Sequence, residues 1–225
     1  MMNGERFADS TLPAMREHFR KCRTVALVLH ATLPSDRNVM EKRLQAAFMH
    51  LDGQKAESLH RYDEKAARVL LQTADGIFVG GGETFVLLKE LYRAGHLELI
   101  RERVLAGVPY AGSSAGANVA GLLIGTTNDF PTAEIPSRFS LAIFPAVINP
   151  HHPAPANRGD FDGRAAKIRT YLRYNPDETV VALADAGMAR LHGGKVMLVS
   201  GSGWIYRSEV TEELKVGEIA ASLAP

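Results

Sequence analysis

The sequence predicts an α/β fold: a mostly parallel central sheet with helices on both faces. Three observations carry that expectation. Apolar runs such as Thr24-Val25-Ala26-Leu27-Val28-Leu29-His30 and Gly76-Ile77-Phe78-Val79 are continuous rather than alternating, as in parallel strands covered on both sides. Stretches with apolar residues at helical spacing alternate with these runs. Residues of chemical interest, finally, follow the runs directly, where open α/β sheets bind ligands.

In chain order, Phe7, Leu12, Met15 and Phe19 give an N-terminal segment one apolar face, helical from about Leu12, that covers the core. Thr24 to His30 is the first central strand. Val39, Leu44, Ala47, Phe48 and Leu51 mark a helix that ends at Gly53. Ala56 to Tyr62 is read as the second strand and Glu64 to Gln72 as a helix. Gly76 to Val79 is a buried strand that runs into Gly80-Gly81-Gly82 and a helix bearing Phe85, Leu87, Leu88 and Leu91. A helix from Leu97 to Leu105 stops at Gly107 and leads to a strand at Val108. After the turn around Ser114, Val119 to Ile124 continues as helix, and Thr126 to Pro131 is a polar loop. The run through Ala146-Val147-Ile148 leads to Asn149-Pro150-His151-His152-Pro153. Ala154 to Gly163 is rich in Pro, Gly, Asp and Asn and is expected to be a surface loop before a helix from Arg164 to Tyr174. Thr179 to Ala184 is a strand with Asp185 at its end. Val196 to Val199 and Trp204 to Tyr206 are expected to be antiparallel strands joined across Gly201-Ser202-Gly203, with a tail carrying Val216, Ile219 and Leu223.

Composition narrows the function. A chain of 225 residues, 46% hydrophobic, is most simply one α/β domain, residues 1–225. The formal net charge of +1 provides no field to attract nucleic acid or acidic membranes. No apolar run approaches the roughly 20 residues of a membrane span, and Met1 to Lys21 lacks the form of a secretory signal, so a soluble, cytoplasmic protein is expected. The single cysteine, Cys22, excludes an internal disulfide; Lys21 and Arg23 beside it would lower its pKa, but no nucleophile's turn surrounds it. Nothing sets the oligomeric state, and a homodimer is left open.

Gly112-Ser113-Ser114-Ala115-Gly116 fits G-x-S-x-G, in which a strained strand-to-helix turn lifts a serine hydroxyl to the mouth of a sheet. The competing reading is a helix entry capped by serines. Gly80 to Gly82, Ser114, His151 and Asp185 all stand at strand ends. A serine hydroxyl needs a neutral imidazole to take its proton, and the imidazole needs an acceptor on its other nitrogen. Backbone N–H groups of Ala115 and of Gly81 or Gly82 would receive the oxyanion. Two carboxylates compete for the third place: Asp185 follows a strand, whereas Asp129 would restore the chain order of the α/β-hydrolases but follows a helix. His151-His152 are adjacent rather than helically spaced and no H-E-x-x-H occurs, so neither metal nor cofactor is expected.

At Val79-Gly80-Gly81-Gly82-Glu83-Thr84-Phe85-Val86-Leu87-Leu88-Lys89, Ser114-Ala115-Gly116-Ala117-Asn118, Thr126-Thr127-Asn128-Asp129, Ile148-Asn149-Pro150-His151, and Arg164 with Lys167-Ile168, the sequence resembles the peptidase E family. These are α-aspartyl dipeptidases, serine peptidases on a class I glutamine amidotransferase-like, flavodoxin-like fold. The motifs extend from about Val79 to Trp204; before Gly76 the match is of pattern only. The resemblance implies Ser114 as nucleophile, His151 as general base, and the glycine loop with Ala115 as oxyanion donors. It implies Asp185 as the third member, where enterobacterial relatives carry a glutamate, longer by one methylene. Glu83 replaces the family's usual asparagine and would bind a substrate α-amine or favour a helix N-terminus. The implied substrate is a small peptide with N-terminal aspartate, whose carboxylate Arg164 would clamp, with Arg158 as a weaker alternative. Related readings are a cyanophycin-cleaving type of serine peptidase acting on another acidic peptide, and a catalytically silent binding or stress protein on the same fold.

Overall fold

The structure is a computed structural model that describes residues 2–3, 6–208, 210–218, 220 and 223. A short ribbon, β1 (Met2–Asn3) with β2 (Arg6–Phe7), leads into α1 (Leu12–Phe19). There follow β3 (Thr24–Val28), α2 (Arg37–Asp52), β4 (Lys55–Ser58), α3 (Glu64–Thr73), β5 (Gly76–Val79), α4 (Thr84–Arg93), α5 (His96–Leu105) and β6 (Tyr110–Gly112). The second half contains α6 (Ala115–Ala120), β7 (Val147–Pro150), α7 (Arg158–Tyr174) and β8 (Thr179–Leu183), then β9 (Met188–His192), β10 (Lys195–Ser200), β11 (Gly203–Arg207) and β12 (Val210–Leu214).

The central strands hydrogen-bond in two blocks of four. One is wholly parallel, in the order β4-β3-β5-β6; the other, β12-β11-β8-β7, is parallel between β7 and β8 and antiparallel beyond. Helix α6 packs against β6 and β7 and joins the blocks.

The continuous apolar runs have a simple cause. Side chains alternate across a strand, and both faces here are covered. Val25, Leu27 and Phe78 point into a cluster with Met15 and Phe19 of α1 and Leu44, Phe48 and Leu51 of α2. Ala26, Val28, Ile77 and Val79 point the other way, onto α3, α4, α5 and α6. In the second block Val180 and Ala182 meet Ile168 and Leu172 of α7, while Val181 and Leu183 meet Val196 and Leu198 of β10. Each such large apolar side chain contributes about 1.5–3 kcal/mol by leaving water. The N-terminal helix does cover the core: Phe19 and Phe48 stand edge to face, with ring centroids 5.2 Å apart.

Several boundaries differ from the sequence reading, each for a tertiary reason. The second strand stops at Ser58, and Leu59–Arg61 form a 3₁₀ turn that buries Leu59. The buried Glu41 carboxylate holds that turn by accepting from the Ser58 N–H at 3.2 Å and from Arg61 Nε at 2.5 Å. Helix α6 ends at Ala120 instead of continuing to Ile124, because Gly121 lies against β7. A Cβ on Gly121 would stand 2.7 Å from the Ala146 carbonyl oxygen, and the Leu122 N–H then bonds that same oxygen at 3.1 Å. The expected loop from Ala154 to Gly163 is helical from Arg158, where Phe161 packs edge to face on His152 and Trp204. The aromatic seat of Phe161, partly buried on an otherwise exposed turn, opposes the helix-breaking composition. β10 and β11 are present but do not pair with each other; β10 pairs with β9, and β11 lies between β8 and β12. In the tail, Val216 is exposed and bridges to Leu198, and Leu223 is buried; Ile219 lies outside the described residues. No helix among the described residues is long and apolar enough to cross a membrane.

Burial also decides the state of several ionisable groups. The Cys22 thiol lies against the Asp75 carbonyl at 3.2 Å, and burial, with the Asp75 charge behind it, pushes its pKa up to about 11. Its cationic sequence neighbours do not activate it. Burial lowers the pKa of His18, His30, His60, His96 and His152, with His30 falling from 6.5 to about 4. Between those two values the unfolded chain binds a proton that folded His30 refuses. Stability is therefore complete above about pH 6.5 and is lost as the pH falls towards 4. The urea midpoint should fall across that window and fall less steeply in His30→Leu; an identical slope in the variant would contradict this assignment.

Candidate active site

Four strand ends converge. β5 ends in Gly80 to Gly82, β6 in Ser113-Ser114, β7 in His151 and β8, two residues on, in Asp185. The Ser114 turn is strained: its φ is 54° and ψ −113°, outside the regions open to most residues, and α6 begins at the next position. Sterics explain the flanking glycines. A Cβ on Gly112 would stand 2.2 Å from the Gly116 carbonyl oxygen, and one on Gly116 would stand 2.2 Å from that of Val79. The turn closes only with hydrogen at both positions. Tyr110 ties it down, its buried hydroxyl donating to the Gly116 carbonyl at 2.6 Å.

Ser114 Oγ lies 2.8 Å from His151 Nε2, and His151 Nδ1 lies 2.5 Å from Asp185 Oδ1. A carboxylate only accepts, so Nδ1 carries the proton and Nε2 is the acceptor for the serine hydroxyl. The short aspartate side chain reaches the imidazole. His151 itself has φ 58°. The His151 and Asp185 side chains are 55% and 85% exposed, so the pair is held by its backbone rather than by packing around the side chains. The Asp185 turn is clamped from below: the Ala184 N–H donates to Ser202 O at 3.0 Å, and Ser200 Oγ donates to Ala186 O at 3.0 Å.

Asp129 is elsewhere. Its Oδ2 accepts from the Thr84 N–H at 2.9 Å and from Thr84 Oγ1 at 2.5 Å, at the start of α4. A carboxylate there satisfies a free helix N–H and complements the helix dipole. Glu83 is the N-cap of the same helix, Oε2 accepting from the Val86 N–H at 2.5 Å, while its Oε1 is buried without a partner among the described residues.

The glycine loop stands directly beside the serine. A Cβ on Gly81 would approach Ser114 Cβ to 2.9 Å, and Gly82 takes φ 133° against the Ala31 carbonyl. Gly80 and Glu83 donate to Val28 O and Ala31 O, both at 2.9 Å. The N–H groups of Gly81, Gly82 and Ala115 have no acceptor among the described residues.

Arg164 Nη1 donates to Asn149 Oδ1 at 3.2 Å and to the His151 carbonyl at 3.3 Å, and burial lowers its pKa. Arg158, on the exposed first turn of α7, pairs with Asp162 at 3.5 Å instead. A network that the sequence reading left without a role fixes these parts together. Buried Asn149 donates to Thr126 O at 2.5 Å, Asn128 Nδ2 donates to Pro150 O at 3.0 Å, and Thr127 Oγ1 lies 3.2 Å from Thr84 Oγ1. The motifs Thr126 to Asp129 and Ile148 to His151 were visible in sequence, but their mutual contact was not.

Comparison with known proteins agrees with this architecture. The family model for peptidase family S51 matches residues 2–199. A Peptidase E of Haemophilus influenzae is 37% identical over 191 residues, 84% of this chain and 86% of that protein. A Peptidase E of Actinobacillus pleuropneumoniae serotype 7 is 34% identical over 217 residues, 93% of this chain and 92% of that protein. Among solved structures, a peptidase from an acI-B1 Actinobacterium superposes with a TM-score of 0.71 at 16% identity, covering 95% of this chain and 91% of the other. Together these define a peptidase with a mostly parallel sheet flanked by helices. The chain belongs to peptidase family S51.

The geometry separates the two carboxylates experimentally. Asp129→Asn removes the charge at the α4 N-terminus and should cost about 0.3–1 kcal/mol of stability, read as a lower urea midpoint, with turnover largely retained. Abolished turnover in a folded Asp129→Asn protein would contradict this placement.

Proposed function

We propose that the protein hydrolyses dipeptides with N-terminal aspartate, Asp-X, through an acyl-enzyme on Ser114. The observation that carries the reading is the continuous hydrogen-bond chain from Ser114 Oγ through His151 to Asp185. As the serine oxygen attacks the aspartyl carbonyl carbon, its proton passes to His151 Nε2. Asp185 fixes the tautomer and stabilises the imidazolium. The oxygen that gains charge is received by the N–H groups of Ala115 and of Gly81 or Gly82, each worth about 3 kcal/mol in the transition state. When the tetrahedral species collapses, His151 returns the proton to the departing amine of X. Water, deprotonated by His151, then releases aspartate and frees Ser114.

Two groups support the choice of aspartate. Arg164, half-buried beside His151, has Nε and Nη2 left to grip a carboxylate, and in a partly desolvated position the pairing is strong. Glu83 sits at the glycine loop, and its Oε1, buried without a partner among the described residues, would turn outward to accept from the substrate's α-ammonium. An N-terminal aspartate presents these two charges on one residue.

The test is hydrolysis of Asp-p-nitroanilide beside its Glu, Asn and Ala analogues. The Asp substrate should be preferred, Ser114→Ala should be inactive, and Asp185→Asn should lose roughly ten-thousandfold in kcat. Indifference of the wild type to the Asp substrate would overturn the specificity, and cleavage of a cyanophycin-type peptide instead would redirect it. Arg164→Ala should reduce the preference for Asp over Ala by at least about tenfold; unchanged selectivity would remove its role.

A further inference from the structure

We infer that Tyr206 and His152 form a buried positioning pair that sets the backbone of His151, and thereby the aim of its imidazole at Ser114. The inference rests on the reading of His151 as the base. The two histidines are adjacent but opposite in environment: His151 is more than half exposed, His152 only 2%. His152 Nδ1 lies 3.0 Å from the Pro153 carbonyl, which only accepts, so Nδ1 bears the proton and Nε2 is left as an acceptor. Tyr206, fully buried in β11, donates its hydroxyl to that nitrogen at 2.9 Å. Trp204 lies 4.8 Å from the His152 ring centroid and Phe161 4.9 Å, so the imidazole is fixed in an apolar slot by one hydrogen bond at each nitrogen.

The consequence reaches the preceding residue through the chain. The His152 N–H donates to the Leu183 carbonyl at 2.9 Å, which ties it to the end of β8, two residues before Asp185. The carbonyl of that same peptide group, that of His151, is held by Arg164, and on the other side of His151 the Pro150 carbonyl is held by Asn128 Nδ2 at 3.0 Å. His151 keeps φ at 58° between that anchored peptide and Pro150 at the end of β7, a conformation that a histidine does not hold unaided. With little packing around its own side chain, the anchored neighbour is what keeps Nε2 at 2.8 Å from the serine oxygen. Removing the tyrosine hydroxyl leaves a buried imidazole nitrogen unpaired, and the ring moves to satisfy it.

The experiment compares Tyr206→Phe, His152→Leu and His152→Gln with wild type in the full chain. Turnover of Asp-p-nitroanilide is read alongside the proton NMR resonance of the His151 Nδ1–H in the hydrogen bond to Asp185. Tyr206→Phe and His152→Leu should lower kcat by about ten- to a hundredfold with KM little changed, since a misplacement near 1 Å costs that much. They should also shift or broaden the Nδ1–H resonance. Glutamine presents an oxygen where Nε2 stood, keeps the tyrosine bond, and should restore most of kcat. Phe48→Leu weakens a core cluster remote from this slot, and should lower the urea midpoint but not kcat. Wild-type kcat and an unmoved resonance in folded Tyr206→Phe would overturn the inference; so would equal losses in His152→Gln and His152→Leu. The NMR readout stands even if the wild type fails to cleave the Asp substrate, a result that would count against the proposed function and not against the positioning pair.

Discussion

Gly116 approaches β5 so closely that one added carbon would sit 2.2 Å from the Val79 carbonyl oxygen. That contact sets the height of the serine turn. Because α6 starts within it, Ser114 must leave β6 at φ 54°, and its hydroxyl is carried above the sheet edge instead of into the core. The same approach brings Gly81 against Ser114 Cβ, so the glycine loop and the serine share one backbone surface. Strain on the order of 1–3 kcal/mol at such a residue persists only because the surrounding packing over-determines it. Here Val119, Ala115, Val79 and Leu88 supply that packing from one cluster.

The remaining site is assembled from the other block of strands. Neither His151 nor Asp185 is buried, so their mutual geometry depends on the ends of β7 and β8, which pair in parallel through Pro150 and Leu183. The polar network of Asn149, Thr126 and Asn128 secures the β7 end, and Ser200 with Ser202 secures the β8 turn. Thr84 and Asp129 then connect this half to the glycine loop at the start of α4. Exposed side chains on a hydrogen-bonded base leave the site open to an incoming peptide.

Much of this was legible from sequence for physical reasons. Strands covered on both faces must be apolar throughout, so β3, β5 and β8 stood out, and residues at their carboxyl ends had to converge. What failed was whatever depends on distant partners. The start of α7 contains Gly159, Asp160, Asp162 and Gly163, which locally favour a loop, whereas the seat of Phe161 on His152 and Trp204, a contact with distant partners, favours the helix. β10 and β11 were recognisable as strands, but their partners, β9 and β8, depend on a topology that alternation does not encode. In sequence Asp185 is favoured over Asp129 because it directly follows a strand; what each carboxylate meets, a helix N–H for Asp129 and an imidazole for Asp185, depends on distant partners. Whether the short Asp185 side chain reaches His151 was likewise a question of backbone position.

The proposed chemistry stands or falls with Ser114 as a nucleophile activated by the His151 to Asp185 relay. Intact-mass and peptide mass spectrometry after exposure to a fluorophosphonate tests it most directly. A single adduct on Ser114, formed slowly or not at all in His151→Ala, is the predicted result. No adduct in the folded protein, or an adduct on Ser114 that forms equally fast without His151, would contradict it.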